Sequence, residues 1–178
     1  MNDFGQQFRE MVVSGSSPDG NVQATVTGER ILRVVFRAGS YEWYGEAALE
    51  RQLAGLAATT WVAWVRERRE ISRRASGLSR EEARKSNSSE YEEAARMIEF
   101  VGASFDQSVQ IRTTGMTHWD VRIAGGTLRR VDARGFAEIV REAFEDVLRD
   151  RESKLILLKA DHFDIGIPQS WRDRTRDM

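Results

Sequence analysis

NVQATVTG, residues 21–28, and SVQIRTTG, residues 108–115, lie 87 positions apart and pair Val22 with Val109, Gln23 with Gln110, Thr27 with Thr114 and Gly28 with Gly115. Continuing at the same offset pairs Val34 with Val121 and Gly39 with Gly126. That is six identities over residues 21–39, where unrelated sequences of this composition share about one. Self-similarity at one fixed spacing marks a structural unit used twice.

The hydrophobic pattern around both copies agrees. Val22, Ala24 and Val26 alternate with polar neighbours, as do Val109 and Ile111, which is the period of a strand with one buried face. A glycine turn follows each, at Gly28-Glu29-Arg30 and at Gly115, and then a second strand over Ile31–Phe36 or through Trp119, Val121 and Ile123. Upstream stand two further candidate strands, Met11–Ser14 and Ile98–Ala103, with Pro18-Asp19-Gly20 turning the first hairpin. Downstream, each copy passes a glycine loop, AGSY at 38–41 or GGTL at 125–128, and enters a long helix. Leu49, Leu53, Leu56, Ala57, Thr60, Trp61 and Trp64 recur at helical spacing in the first. Phe136, Ile139, Val140, Ala143, Phe144, Val147 and Leu148 do so in the second, with Asp132 as its N-cap.

A leading helix is evident only before the second copy, where Ser79-Arg-Glu-Glu82 and Ser89-Glu-Tyr-Glu92 offer capping boxes. In the first copy it is short or absent. The expected fold is therefore α+β, two tandem units each made of a three-stranded antiparallel sheet and a long C-terminal helix. The units span 1–76 and 77–167, with a C-terminal tail at 168–178. Docking one unit on the other covers apolar faces that each alone is too small to bury, so the pair is expected as an intrachain pseudo-dimer. A monomer with internal pseudo-symmetry and a homodimer both remain open.

The chain has 178 residues, no cysteine and a net charge of -1. Disulfides, thiolate metal sites and cysteine nucleophiles are thereby excluded. No apolar run approaches the roughly 20 residues that cross a bilayer, and the N-terminus shows no basic and apolar secretory pattern. The expected setting is cytoplasmic, without membrane contact. Charge is uneven: residues 66–85 hold eight basic groups against four acidic ones. Any polyanion contact would be local.

SPDGNVQATVTGERILRVVF, followed by a loop and an amphipathic helix, resembles the YbaB/EbfC nucleoid-associated family. TGMTHWDVRIAGGTLRRVD and its helix are similar to the degenerate second unit of actinobacterial relatives. The resemblance implies a bacterial protein of small α+β units that dimerise through their sheets and hold long helices out as arms. It also implies a nucleoid location and binding to double-stranded DNA with little sequence preference. Some relatives act instead through protein partners, in association with type VII secretion.

Two surfaces are candidates. Arg66, Arg68, Arg69, Arg73 and Arg74, at the end of the first long helix, are the nucleic-acid-binding candidates, since guanidinium forks suit phosphates. The same residues would also complement the helix dipole. Tyr41, Trp43 and Tyr44 are the protein-interaction candidates, as an aromatic rim in the preceding loop. Trp61 and Trp64 share the apolar stripe with Leu53 and Leu56, which reads as packing before base stacking. Gly125-Gly126-Thr127-Leu128-Arg129-Arg130 lacks the ending of a phosphate loop and reads as a turn before a helix. His118 stands alone, and Asp161-His162-Phe163-Asp164, which could offer a His and two carboxylates, reads as a solvated polar stretch and not as a metal site. No nucleophile elbow is present. The expected protein is no enzyme and needs no cofactor. It is a DNA-binding nucleoid protein or, alternatively, an interaction adaptor or chaperone-like module.

Overall fold

The computed structural model describes residues 4–28, 32–76 and 89–162. A short helix α1 (Phe4–Glu10) leads into strands β1 (Val12–Ser16), β2 (Val22–Thr27) and β3 (Leu32–Phe36). A 3-10 turn at Tyr41–Trp43 precedes the long helix α2 (Glu46–Ser76). The order then repeats: α3 (Ser89–Met97), β4 (Glu99–Ala103), β5 (Val109–Thr114), β6 (His118–Ile123), one helical turn at Thr127–Arg130, and α4 (Ala133–His162). The fold is α+β, with two three-stranded antiparallel sheets, β1-β2-β3 and β4-β5-β6, each followed by a long helix.

The spacing of 87 holds through the structure. Val12 and Glu99 open the first strands, Val22 and Val109 the second, and Glu46 and Ala133 the long helices. The turns match bond for bond. Ser17 N–H donates to Val22 O at 2.8 Å and Ser104 N–H to Val109 O at 2.9 Å; Arg37 N–H donates to Asn21 O and Ala124 N–H to Ser108 O, both at 2.8 Å. A leading helix stands before both sheets, of seven residues in α1 and nine in α3. The first is thus shortened, not missing. The capping box at Ser79–Glu82, the Gly28-Glu29-Arg30 turn beyond Gly28, the unit junction at 77–88 and residues 163–178, with the C-terminal tail, lie outside the described residues, whereas Ser89–Glu92 opens α3.

Each long helix covers both sheets. Helix α2 packs on β1 and β2 of its own half and on β6 of the other; α4 packs on β4 and β5 and reaches across to β3. The apolar stripes dictate this. Leu49, Leu53 and Leu56 from α2 and Phe136, Val140, Ala143 and Val147 from α4 join Val22, Val34, Val109 and Val121 in one continuous core. At about 25 cal/mol per Å², a shared core of this kind stabilises the two halves jointly and couples their unfolding.

The helix ends are not free arms. Met11, Val13, Trp64 and Ile71 form a second cluster with Phe8 of α1, and Phe8 meets Trp64 edge-on at 6.2 Å. On α4, burial persists to Ala160. The leading helices hold both long helices down because each still presents apolar residues in its last turns.

Candidate interaction site

The five arginines of α2 have different surroundings. Arg73 donates to Glu70 Oε1 at 2.5 Å and Oε2 at 3.2 Å, and Arg74 lies 3.4 Å from the same carboxylate. The hydrogen bond from Arg73 pulls the Glu70 carboxyl down to about 2. The Arg68 guanidinium covers the rings of Trp64, at 5.4 Å, and Phe8, at 5.8 Å. Arg66 and Arg69 are exposed and have no ion pair with any described residue. The five therefore do not share one helix face: Arg68 turns towards α1, Arg73 and Arg74 are held by Glu70, and Arg66 and Arg69 are the two left without such a neighbour among the described residues.

The tryptophans beside it are closed to base stacking. Trp64 is buried and donates Nε1–H to Thr27 O at 3.4 Å. Trp61 stacks on it at 5.1 Å, and the Arg151 guanidinium of α4 covers Trp61 at 4.9 Å.

The aromatic loop does not form a rim. Tyr41 is only 5% exposed: its ring packs edge-on to Phe36 at 5.1 Å, and its hydroxyl donates to Val131 O, across the halves, at 3.1 Å. Burial pushes that phenol up to about 12. Tyr44 donates its hydroxyl to Asp19. Only Trp43, 89% exposed, keeps the place expected of it. Sequence spacing put all three together; the 3-10 turn rotates the first one inward.

The glycine loop before α4 does receive an anion, and the chain supplies it. Gly126, at φ 82°, donates its N–H to Glu46 Oε1 of α2 at 2.8 Å. Glu46's own amide, then Gly126, and beyond them the Arg129 charge and the Leu128 amide hold that carboxyl below its ordinary range. Glu50, one turn on, accepts the Ile123 N–H at 2.9 Å. The His118 ring nitrogen Nδ1 lies 3.1 Å from Thr117 Oγ1. No group of three or more His, Asp or Glu suited to a metal occurs among the described residues, and Asp161-His162-Phe163-Asp164 extends outside them.

The feature that sequence reading missed is a difference between the two outer sheet edges. In β4, the outward-pointing backbone groups are met by one face of α4. Val101 N–H donates to Asp150 at 2.8 Å, Ala103 N–H to Asp146 at 3.1 Å and Phe105 N–H to Glu142 at 3.2 Å, while Lys154 Nζ donates to Glu99 O at 2.9 Å. Glu142, Asp146, Asp150 and Lys154 recur every fourth residue, so one helix face spans the whole edge. At the matching positions α2 carries Gly55, Thr59, Ala63 and Glu67. Thr59 Oγ1 donates to Ser16 O at 3.2 Å, and Pro18, which has no N–H, packs on Gly55. Among the described residues nothing comparable meets the N–H of Ser14 or Ser16. These groups face away from β2, because the flanking pairs Ser17–Val22 and Met11–Gly28 carry the ladder bonds. Beside this open edge runs a groove of about 750 Å³, walled by Val13, Ala58, Val62, Ala63, Arg66 and Glu67. Val62 is 64% exposed in it, and Val12, at the start of β1, is 61% exposed.

No helix among the described residues is long and apolar enough to cross a membrane. No protein-family model matches the chain, and neither does any curated protein or solved structure.

Proposed function

We propose that the chain is a non-enzymatic interaction adaptor, built from two YbaB-like units paired inside one polypeptide, whose β1 edge takes up an extended segment of a partner protein. One observation carries the reading: equivalent edges of the two halves are treated oppositely. An exposed edge strand is a template for further strand pairing, and folded proteins block such edges with charged side chains. Here α4 blocks β4 with three carboxylates and a lysine, while α2 leaves β1 open beside an apolar groove. The near-neutral net charge of -1 agrees with a protein partner better than with a polyanion.

The test places a photo-crosslinking side chain at Val12 and compares the wild-type background with Thr59→Asp/Ala63→Asp, which copies the carboxylates of the other half. Capture lost in the double variant supports the adaptor. Equal capture in both backgrounds counts against it.

A second reading rests on Arg66 and Arg69, which are exposed without acid partners: low-specificity binding of duplex DNA at the α2 face. With two free guanidinium groups the log–log salt dependence would have a slope of about -2. Gel-shift titration at about 50 and about 200 mM salt measures it, and absence of binding at the lower salt removes this reading.

A further inference from the structure

We infer that the segment received at the β1 edge is acidic as well as extended, with an apolar side chain seated against Ala58 and Val62 and a carboxylate two residues along facing Arg66. The inference rests on the adaptor reading and adds the partner's chemistry. Three observations lead to it.

The edge calls for backbone, not only side chain. Val12, Ser14 and Ser16 turn their N–H and C=O groups outward at alternating positions, and an added antiparallel strand meets such groups in register. Their counterparts in β4 are filled by carboxylate oxygens, so acceptors are what the open N–H groups lack. Glu67 occupies the place where Lys154 donates to Glu99 O, so the lysine that meets the edge carbonyl in the other half has no counterpart beside Val12 O.

Room decides between a bare strand and a second copy of this chain. Helix α2 presses so closely on β1 that a methyl group on Gly15 would overlap the Thr60 hydroxyl and stand 3.0 Å from the Thr60 Cα. A copy pairing β1 with β1 would bring its own α2 over the junction. Strands pair about 4.8 Å apart, whereas packed helices need 8–10 Å or so. An extended segment without a covering helix meets no such conflict.

Charge sets the side-chain preference. Residues on one face of an added strand alternate with those on the other, so one row faces α2. That row passes Ala58 and Val62 and then Arg66, with Arg69 one turn beyond. Of the five arginines in the last third of α2, Arg66 and Arg69 are the ones not already held by Glu70 or by aromatic rings. Glu67 is the single acid on this wall.

The experiment is an amide-resolved NMR titration of the full chain with two capped octapeptides, one alternating Val and Glu and one alternating Val and Lys. The expected result is movement of the Ser14 and Ser16 amides with the Glu peptide, with affinity reduced about tenfold for the Lys peptide. Arg66→Glu/Arg69→Glu, at exposed positions that leave the core intact, reverses that preference. Equal binding of both peptides, or a preference unchanged by the charge reversal, overturns the acidic partner while the strand-accepting edge stands. No movement of Ser14 and Ser16 with either peptide overturns the edge reading itself.

Discussion

Gly102 of β4 lies directly beneath Val147 of α4: a methyl group built on the glycine would overlap the Val147 amide nitrogen and stand 2.6 Å from the Ala143 carbonyl oxygen. Gly15 and Thr60 repeat the contact 87 residues earlier. In both halves, glycine is what lets the long helix settle onto the strand. Gly102→Ala is expected to cost about 3 kcal/mol, because backbone atoms cannot yield. Gly15→Ala is expected to cost less, since its nearest obstacle is a side-chain hydroxyl. Urea melts of the two variants measure the order, and equal losses would contradict it.

Tyr41 predicts how the fold fails in alkali. Its phenol is raised from 10.0 to about 12, with burial the first cause and the Asp132, Glu46 and Glu42 charges behind it. A folded-state value above the unfolded one means that the contribution is complete below about pH 10 and is lost as pH climbs towards 12. Tyr41→Phe loses the 3.1 Å bond to Val131 O, worth about 1 kcal/mol at neutral pH. It is also expected to flatten the decline between pH 10 and 12. Thermal melts across that range give both numbers.

The duplication was legible because strand periodicity and the shared valines survive in both copies, and Val22 and Val109 indeed lie fully buried in the joint core. Asp132 was legible as an N-cap, since the residue type and position are specific, and its carboxylate accepts the Gly135 N–H at 2.8 Å. What periodicity could not tell is which sheet a stripe covers. Leu49 and Leu53 read as apolar whether α2 lies on its own half or reaches across to β6. Tyr41 looked like a surface aromatic because its partners Val131 and Phe136 are some ninety residues away. Glu142, Asp146 and Asp150 carry no motif that singles them out; only the neighbouring edge of β4 shows what they bind. A clue was available in comparing that face with Gly55, Thr59 and Ala63 at the repeat spacing.

The hairpin turns carry a smaller consequence of the duplication. Gly20 sits at φ 73° and its counterpart Gln107 at φ 60° in the same turn. A side chain in the left-handed region costs roughly 1 kcal/mol relative to glycine, partly offset by glycine's greater freedom in the unfolded chain. Gln107→Gly is therefore expected to stabilise the protein by about 0.5 kcal/mol, read as a higher urea midpoint at unchanged slope. A lower midpoint would mean that the Gln107 Nε2 contact to Ser104 O, at 3.4 Å, matters more than the backbone conformation.

The capped edge makes the strongest demand on the proposed function, because opening it should create a second acceptor. Asp146 and Asp150 receive the Ala103 and Val101 amides, and each charge-assisted bond to an exposed edge contributes about 1 kcal/mol. Removing both as Asp146→Ala/Asp150→Ala should speed exchange of those two amides about fivefold or more, with the core amides of β5 unaffected. If an uncovered strand edge under a long helix is what receives an extended partner, the variant should bind about two Val–Glu octapeptides per chain where the wild type binds about one. Arg149 and Lys154 remain on α4 to face the added carboxylates. Freed amides with the stoichiometry still near one would show that an open edge alone is insufficient, and that the groove walled by Val62 and Arg66 supplies the selectivity.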